Sequence, residues 1–192
     1  MRDYIIMTDS CCDLSQQEVE ELELTVLPLS FTIEGKTLLN TPDHADMSPE
    51  EFFAKIAAGA DCTTPAVNVG QFTDAMEKVL QEGKDILCVC FSSALSTTYQ
   101  SACIAAEDLR EKYPEAKILV IDSLSASRGQ GMLLYRAVRE RREKNLTIDE
   151  LDAYVRSIIQ SQCHWFIVDD LNHLKRGGRV SSTAALVGTM LG

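Results

Sequence analysis

Short apolar runs alternate with stretches of helical periodicity along this chain. The apolar runs are four to eight residues long, mostly β-branched or large, and are bounded by turn residues at 4–7, 24–31, 86–91, 118–121 and 165–168. Segments with apolar residues three or four positions apart cover 15–22, 48–58, 69–81, 96–112, 129–144 and 148–161. Strands that alternate with helices predict an α/β fold, in which a Rossmann-like parallel sheet is flanked by helices.

The character of the sequence changes near residue 161. The last apolar run leads into a basic, glycine-containing turn at 176–179, and a stretch of small residues follows. We therefore predict an N-terminal α/β domain over residues 1–160 and the start of a second, smaller α/β domain over residues 161–192. About thirty residues are too few to close a hydrophobic core of their own.

Composition and charge argue against several classes of partner. The chain of 192 residues carries 18 Lys and Arg against 29 Asp and Glu, a formal charge of -11. Such a chain repels phosphate backbones and anionic lipid heads, so we expect no nucleic acid partner. No apolar run approaches the length of a membrane span, and seven cysteines without a C-x-x-C pair indicate reduced thiols. We expect a cytoplasmic protein without stable membrane insertion.

Three of the predicted strands end in loops rich in hydroxyl side chains, at 8–10, 92–98 and 122–127. The carboxyl ends of parallel strands lie at one edge of a sheet, where such folds bind ligands, so we expect these loops to be neighbours. Hydroxyls, together with the N–H groups of helix N-termini, favour a carboxylate or a phosphate. A single Ser is explained as a helix cap, but five Ser and Thr residues within 92–98 exceed the needs of one cap.

Several motifs in the same order resemble the DegV family. They are TDSCCDL from Thr8, VLPLSF from Val26, DMSPEEFF from Asp46, CTTPAVNVGQF from Cys62, SSALSTTYQSA from Ser92, IDSLSASRGQG from Ile121 and VDDLNHLKRGGRVS from Val168. The better understood members of this family are the fatty-acid-binding subunits of bacterial fatty acid kinase. The resemblance implies a two-domain carrier that buries a long-chain fatty acid and presents it to a separate ATP-dependent kinase subunit, which forms an acyl phosphate for phospholipid metabolism. It implies no cofactor and no covalent chemistry by the carrier itself.

The resemblance assigns the fatty acid carboxylate to particular hydroxyls. By alignment, Thr64 and either Ser93 or Ser96 hold the carboxylate, with Thr63 and Ser92 as neighbours. The sequence does not choose between the two serines.

The resemblance also assigns a docking segment for the kinase subunit. The turn from Arg176 to Arg179 is similar to that segment, and Arg179 is the candidate contact.

Two departures from the family pattern accompany these assignments. Thr97 stands where the family has a glycine, which predicts either a backbone without positive φ or a strained threonine. Members of the family extend past the position of Gly192, which implies a truncated chain with an incomplete second domain.

Two alternatives from other classes stay open. A serine hydrolase needs a general base oriented by a third group, and its nucleophile usually lies in G-x-S-x-G. That motif is absent, and His44, His164 and His173 lie outside the hydroxyl loops.

The second alternative is a Rossmann-like protein that binds a nucleotide or a sugar phosphate. Gly129 and Gly131 resemble half of a dinucleotide fingerprint, but Leu134 stands at the third glycine position and no P-loop motif is present. We interpret the two glycines as sites of close backbone packing. No set of residues at ligand spacing indicates a metal.

Overall fold

The computed structural model describes residues 2–168 and 171–181, and strands and helices alternate along them. The strands are β1 (Tyr4–Asp9), β2 (Leu24–Leu27), β3 (Leu29–Ile33), β4 (Lys36–Asn40), β5 (Cys62–Thr63), β6 (Asp85–Cys90) and β7 (Ile118–Asp122). The helices are α1 (Gln16–Glu21), α2 (Pro49–Ala57), α3 (Val69–Gln81), α4 (Thr98–Lys112), α5 (Arg128–Lys144), α6 (Ile148–Ile159) and α7 (Leu171–Arg176), and a 3-10 turn covers Ser10–Cys12. The chain divides into two units, residues 1–162 and 163–192.

Four strands of the first unit form a parallel sheet in the order β2-β1-β6-β7. Residues of β1 and β6 alternate between the two faces. Ile6 and Leu87 pack in the core beneath α5 and α6, whereas Met7 and Cys88 pack in the core beneath α3 and α4. Helices therefore cover both faces, which is why the strands appear in the sequence as continuous apolar runs. The predicted α/β class, with a parallel sheet and flanking helices, is confirmed.

The run at 24–31, predicted as one strand, is two strands in different sheets. Pro28 separates β2, which joins the parallel sheet, from β3, which lies in an antiparallel sheet of order β4-β3-β5. Proline has no N–H to donate to a central ladder, so the strand ends there. The strand β4 was not predicted from the sequence. Its signal is the two-residue turn at Glu34 and Gly35, whose φ angles of 50° and 75° are those of a hairpin turn.

The predicted strand at 165–168 is wrong for the part of the chain that the structure describes. The segment has no strand assignment, and Trp165, Phe166 and Ile167 are exposed by 97%, 78% and 93%. A strand needs a neighbour to satisfy its N–H and C=O groups, and the described residues of the second unit form none. The assignment of residues 161–192 to the start of a second domain stays a prediction.

No helix within residues 2–168 or 171–181 has both the length and the apolar content needed to cross a membrane.

Candidate ligand site at the carboxyl edge of the sheet

Hydrogen bonds join the three hydroxyl loops at the carboxyl edge of the parallel sheet. The N–H of Phe91 donates to Oδ2 of Asp9 over 2.8 Å, which connects the loops that follow β6 and β1. The N–H of Ser92 donates to the carbonyl of Ser125 over 3.1 Å, which connects the loops that follow β6 and β7. The expected convergence of these loops is therefore present in the structure.

The meeting point of β1 and β6 is also the point at which strand order reverses. From β1 the chain adds β2 on one side, and the later strands β6 and β7 lie on the other side. Open α/β sheets bind their ligands in the crevice outside such a reversal. The sheet topology therefore places the hydroxyl loops where a ligand is expected.

Asp9 and Gln130 form a buried polar network at this reversal. Both side chains are fully buried, and Nε2 of Gln130 donates to Oγ1 of Thr8 over 2.9 Å and to Oδ2 of Asp9 over 3.3 Å. Burial raises the pKa of Asp9, while hydrogen bonds from the N–H groups of Phe91 and Cys11 oppose that rise. This network joins the end of β1 to the first turn of α5. Gln130 was not predicted as a site residue, because its place between two glycines is its only signal in the sequence.

The main chain of the loop after β6 has few N–H groups left for a ligand. The N–H of Phe91 donates to Asp9 and the N–H of Ser92 to Ser125. The N–H of Ser93 donates to Oδ1 of Asp122 over 3.1 Å, and the N–H of Ala94 donates to Oγ of Ser92 over 3.3 Å. Contacts from this stretch to a ligand must therefore come from side chains.

The three candidate serines of this loop differ in what their hydroxyls do. Ser92 is buried, and its Oγ accepts the N–H of Ala94. Oγ of Ser96 accepts the N–H of Thr98 over 3.2 Å and lies 3.0 Å from Oγ1 of Thr98, so it supports the start of α4. Ser93 is exposed, and no described residue bonds its Oγ. Of the two serines that the sequence left open, Ser93 is the one with a hydroxyl available to a ligand.

Two helices begin at this edge without a side-chain cap. In residues 2–162, the helices α1, α2, α3 and α6 are capped by the side chains of Ser15, Ser48, Asn68 and Thr147. Within the same residues, Thr97 before α4 and Ser127 before α5 make no such bond. The N–H of Thr98 donates to Oγ of Ser96 and the N–H of Gly129 to the carbonyl of Ala126, so a preference for negative charge at this edge comes from the dipoles of α4 and α5.

The backbone of the two uncapped loops differs in strain. Thr97 has φ of -81°, so the departure from the family's glycine is accommodated without a left-handed conformation. The loop after β7 instead holds Leu124 and Ser127 at φ of 50° and 52°. Such conformations cost about 1–3 kcal/mol each in non-glycine residues and are concentrated at functional sites.

Thr63 and Thr64 lie in the antiparallel sheet rather than at the parallel edge. Thr63 ends β5 and pairs with Thr32 of β3, Thr64 follows it, and both threonines are exposed. The start of β3 is tied to the ligand edge, because the N–H of Leu29 donates to Oγ of Ser10 over 3.0 Å. The joint action of Thr64 and Ser93 on one carboxylate stays a prediction.

Arg176 and Arg179 lie in the second unit, at the end of α7. Both are exposed, and the N–H of Arg179 donates to the carbonyl of Leu174 over 2.9 Å. Gly178, at φ of 75°, supplies the left-handed residue that closes the helix. The docking role of the two arginines stays a prediction.

The histidines give the hydrolase alternative no support. His44 is exposed and, among the described residues of the first unit, hydrogen-bonds no serine of the three loops, and His164 is an exposed residue of the second unit. His173 lies in α7, in the second unit. Among the same described residues, no group of three His, Cys, Asp or Glu side chains could hold a metal ion.

The interpretation of Gly131 as a packing position is confirmed. A Cβ added there would lie 2.8 Å from the carbonyl oxygen of Cys12 and 2.9 Å from Cδ2 of Leu14. The glycine lets α5 approach the loop after β1, which brings Gln130 to Asp9. A packing role explains Gly131 without a nucleotide.

Comparisons with known proteins agree with this architecture. Residues 4–192 match the model of the DegV family, whose members are described as uncharacterised. A DegV domain-containing protein of Clostridium perfringens is 40% identical over 191 residues, which are 100% of this chain and 65% of the relative. The chain thus spans 65% of the length of that relative and 64% of a similar one from Lactococcus lactis.

Solved structures of DegV proteins have the same fold. One from Thermus thermophilus, described as fatty-acid-binding, has a TM-score of 0.82 and 31% identity over 100% of this chain and 65% of its own. A stearic-acid-binding protein from Eubacterium ventriosum has a TM-score of 0.81 and 27% identity over 96% of this chain and 62% of its own. The extent of the family match and the shared fold show that this chain belongs to the DegV family.

Proposed function

We propose that this protein binds a long-chain fatty acid and holds its carboxylate with hydroxyl side chains. The observation that carries the proposal is the Ser93 hydroxyl, which lies without a protein partner among the described residues, in the loop that leads to the start of α4. Two solved relatives of the same fold are described as fatty-acid-binding, one of them with stearic acid, which supports the choice of ligand. Thr64 is the second hydroxyl that we assign to the carboxylate.

The energetics of an alkyl tail favour neutral donors at the head group. Each buried methylene contributes about 0.8 kcal/mol, so a sixteen-carbon chain offers roughly 10 kcal/mol of gross transfer free energy. Association costs offset part of this, and the remainder suffices for tight binding without a buried cation. Hydroxyls can bind a carboxylate and an acyl phosphate alike, as a carrier of both substrate and product requires.

The chemistry at the site supports a carrier rather than an enzyme. An acyl-transferring serine needs a base within hydrogen-bond reach, and no described residue of the first unit hydrogen-bonds the hydroxyl of Ser93. We propose that a separate ATP-dependent kinase subunit phosphorylates the bound fatty acid in the cytoplasm, and that Arg179 and Arg176 contact that subunit. Residues 161–192 then form the start of the second domain, as the sequence predicts.

Native mass spectrometry of the purified chain tests the proposal. We expect a bound species with the mass of a long-chain fatty acid at about one per chain, released as a free acid on denaturation. A nucleotide or a phosphosugar in its place contradicts the fatty acid assignment. A chain that arrives empty and also fails to take up added palmitic acid contradicts it equally.

A further inference from the structure

We infer that Asp122, the last residue of β7, is a positioning residue for the Ser93 hydroxyl. The inference rests on the proposed function and adds to it the group that orients the binding serine. Oδ1 of Asp122 accepts the N–H of Ser93 and the N–H of Leu124, each over 3.1 Å. One carboxylate oxygen thus links the loop after β6 to the loop after β7.

Ser93 depends on this hydrogen bond to Asp122 because the Ser93 side chain makes no hydrogen bond of its own to the described residues. Its Oγ has no hydrogen bond to any described residue, so the main chain alone fixes the position of its Cβ and hence the region that the hydroxyl can reach. The main chain is fixed at Ser92 by the carbonyl of Ser125, and at Ser93 by Asp122. Removal of the Asp122 carboxylate therefore frees the main chain at Ser93, which carries the binding hydroxyl.

Asp122 also supports a strained neighbour. Leu124 adopts φ of 50°, which is unfavourable for a residue with a branched side chain, and its N–H is held by the same Oδ1 atom. Ser123 and Ser125 stabilise the rest of this loop, because Oγ of Ser123 accepts the N–H of Ser125 over 3.2 Å. Oδ1 of Asp122 thus holds the loop after β6 and the loop after β7 where the two loops meet.

The negative charge of Asp122 argues that this residue positions Ser93 and does not contact the fatty acid carboxylate itself. A carboxylate repels a bound fatty acid carboxylate, so Asp122 acts through Ser93 and not as a ligand contact. Asparagine keeps an acceptor oxygen for both N–H groups and removes the charge. Asp122→Asn should therefore bind the fatty acid at least as tightly as the wild type, whereas Asp122→Ala should not.

A double-mutant cycle tests the inference, with the Kd for palmitic acid measured by titration calorimetry on delipidated protein. We expect Asp122→Ala and Ser93→Ala each to weaken binding about tenfold, and the double variant to be no weaker than Ser93→Ala alone. Asp122→Asn should restore wild-type affinity. Asp108→Ala, which removes an exposed carboxylate on α4, is the control and should leave the Kd unchanged.

The outcomes distinguish this inference from the proposed function. Failure of the wild type to bind palmitic acid overturns the proposed function. Wild-type binding with additive effects of the two alanines, or with equal losses in Asp122→Asn and Asp122→Ala, overturns the positioning role alone. If Asp122→Ala does not fold, Asp122→Ser takes its place in the cycle, and the same non-additivity is expected.

Discussion

Oδ2 of Asp9 accepts a 2.8 Å hydrogen bond from the N–H of Phe91 where β1 and β6 lie side by side. The carboxylate is fully buried, and its other oxygen accepts the N–H of Cys11 over 3.1 Å. The Asp9 side chain thus occupies the strand reversal, where many proteins of this architecture bind a phosphate. Ligand contacts fall instead to the hydroxyls around it.

The pH dependence of stability should carry the signature of Asp9. Burial raises the pKa of Asp9 above its ordinary 3.8, so the folded protein binds this proton more tightly than the unfolded chain. Its contribution to the free energy of unfolding is present below pH 3.8 and declines as pH rises toward the folded-state pKa. Urea unfolding of wild type and Asp9→Asn from pH 3 to 7 should show the difference moving in favour of the variant as pH rises. A difference that is independent of pH contradicts the raised pKa.

The contribution of Glu18 to the free energy of unfolding should change with pH in the opposite direction. The N–H of Ser15, and then Arg128, hold the pKa of Glu18 at about 2, below its ordinary 4.5. This stabilisation is present above pH 4.5 and is lost as pH falls toward 2. Because the Glu18 side chain is 38% exposed, we expect Glu18→Gln to cost less than about 1 kcal/mol at pH 7 and nothing near pH 2. Glu107→Gln, on the exposed face of α4, is the control and should be neutral at both values.

Packing at Gly131 should be intolerant of a methyl group. Gly131→Ala places a Cβ within 2.8 Å of the Cys12 carbonyl oxygen, so we expect a loss of about 1–3 kcal/mol in the free energy of unfolding by urea titration. Gly70→Ala is a matched control in α3, where the added Cβ meets only Oδ1 of Asn68 at 3.3 Å. That control should be neutral or slightly stabilising, because alanine favours the helix. Equal costs at the two positions would contradict the close approach of α5 to the loop after β1.

Separate substitutions should separate fatty acid binding from partner docking. Thr64→Val keeps the shape of the side chain and removes the hydroxyl, so we expect about tenfold weaker binding of palmitic acid. Arg179→Ala should leave that affinity intact and reduce phosphorylation of the bound acid by the cognate kinase subunit. Calorimetry and a coupled ATP turnover assay measure the two effects, with Thr63→Val as the control for the threonine. The reverse pattern would overturn the assignment of roles.

Much of the fold was predictable because its signals are local. The strand β6 is buried between two helical layers, and from Ile86 onward it appears in the sequence as an unbroken apolar run. The start of α6 has an equally local signal, since Thr147 and Glu150 form a capping box. The run at 24–31 failed because apolar character continues through Pro28 while the backbone changes sheet.

The site was only partly predictable. Parallel strands bring their carboxyl ends together whatever the details, so the meeting of the hydroxyl loops followed from the fold class. The choice of Ser93 over Ser96 did not follow from the fold class. It depends on which serine hydroxyl accepts the N–H of Thr98, and that is Oγ of Ser96. The contact of Gln130 with Asp9 joins residues 121 positions apart, and no local pattern reports such a pair.

Carbon-13 NMR of palmitic acid labelled at the carboxyl carbon tests the central claim most directly, because it observes the head group itself. We expect one bound resonance with delipidated wild type, unchanged in Ser96→Ala and shifted or lost in Ser93→Ala at the same protein concentration. A bound resonance that is indifferent to Ser93→Ala but altered by Ser96→Ala would contradict the account.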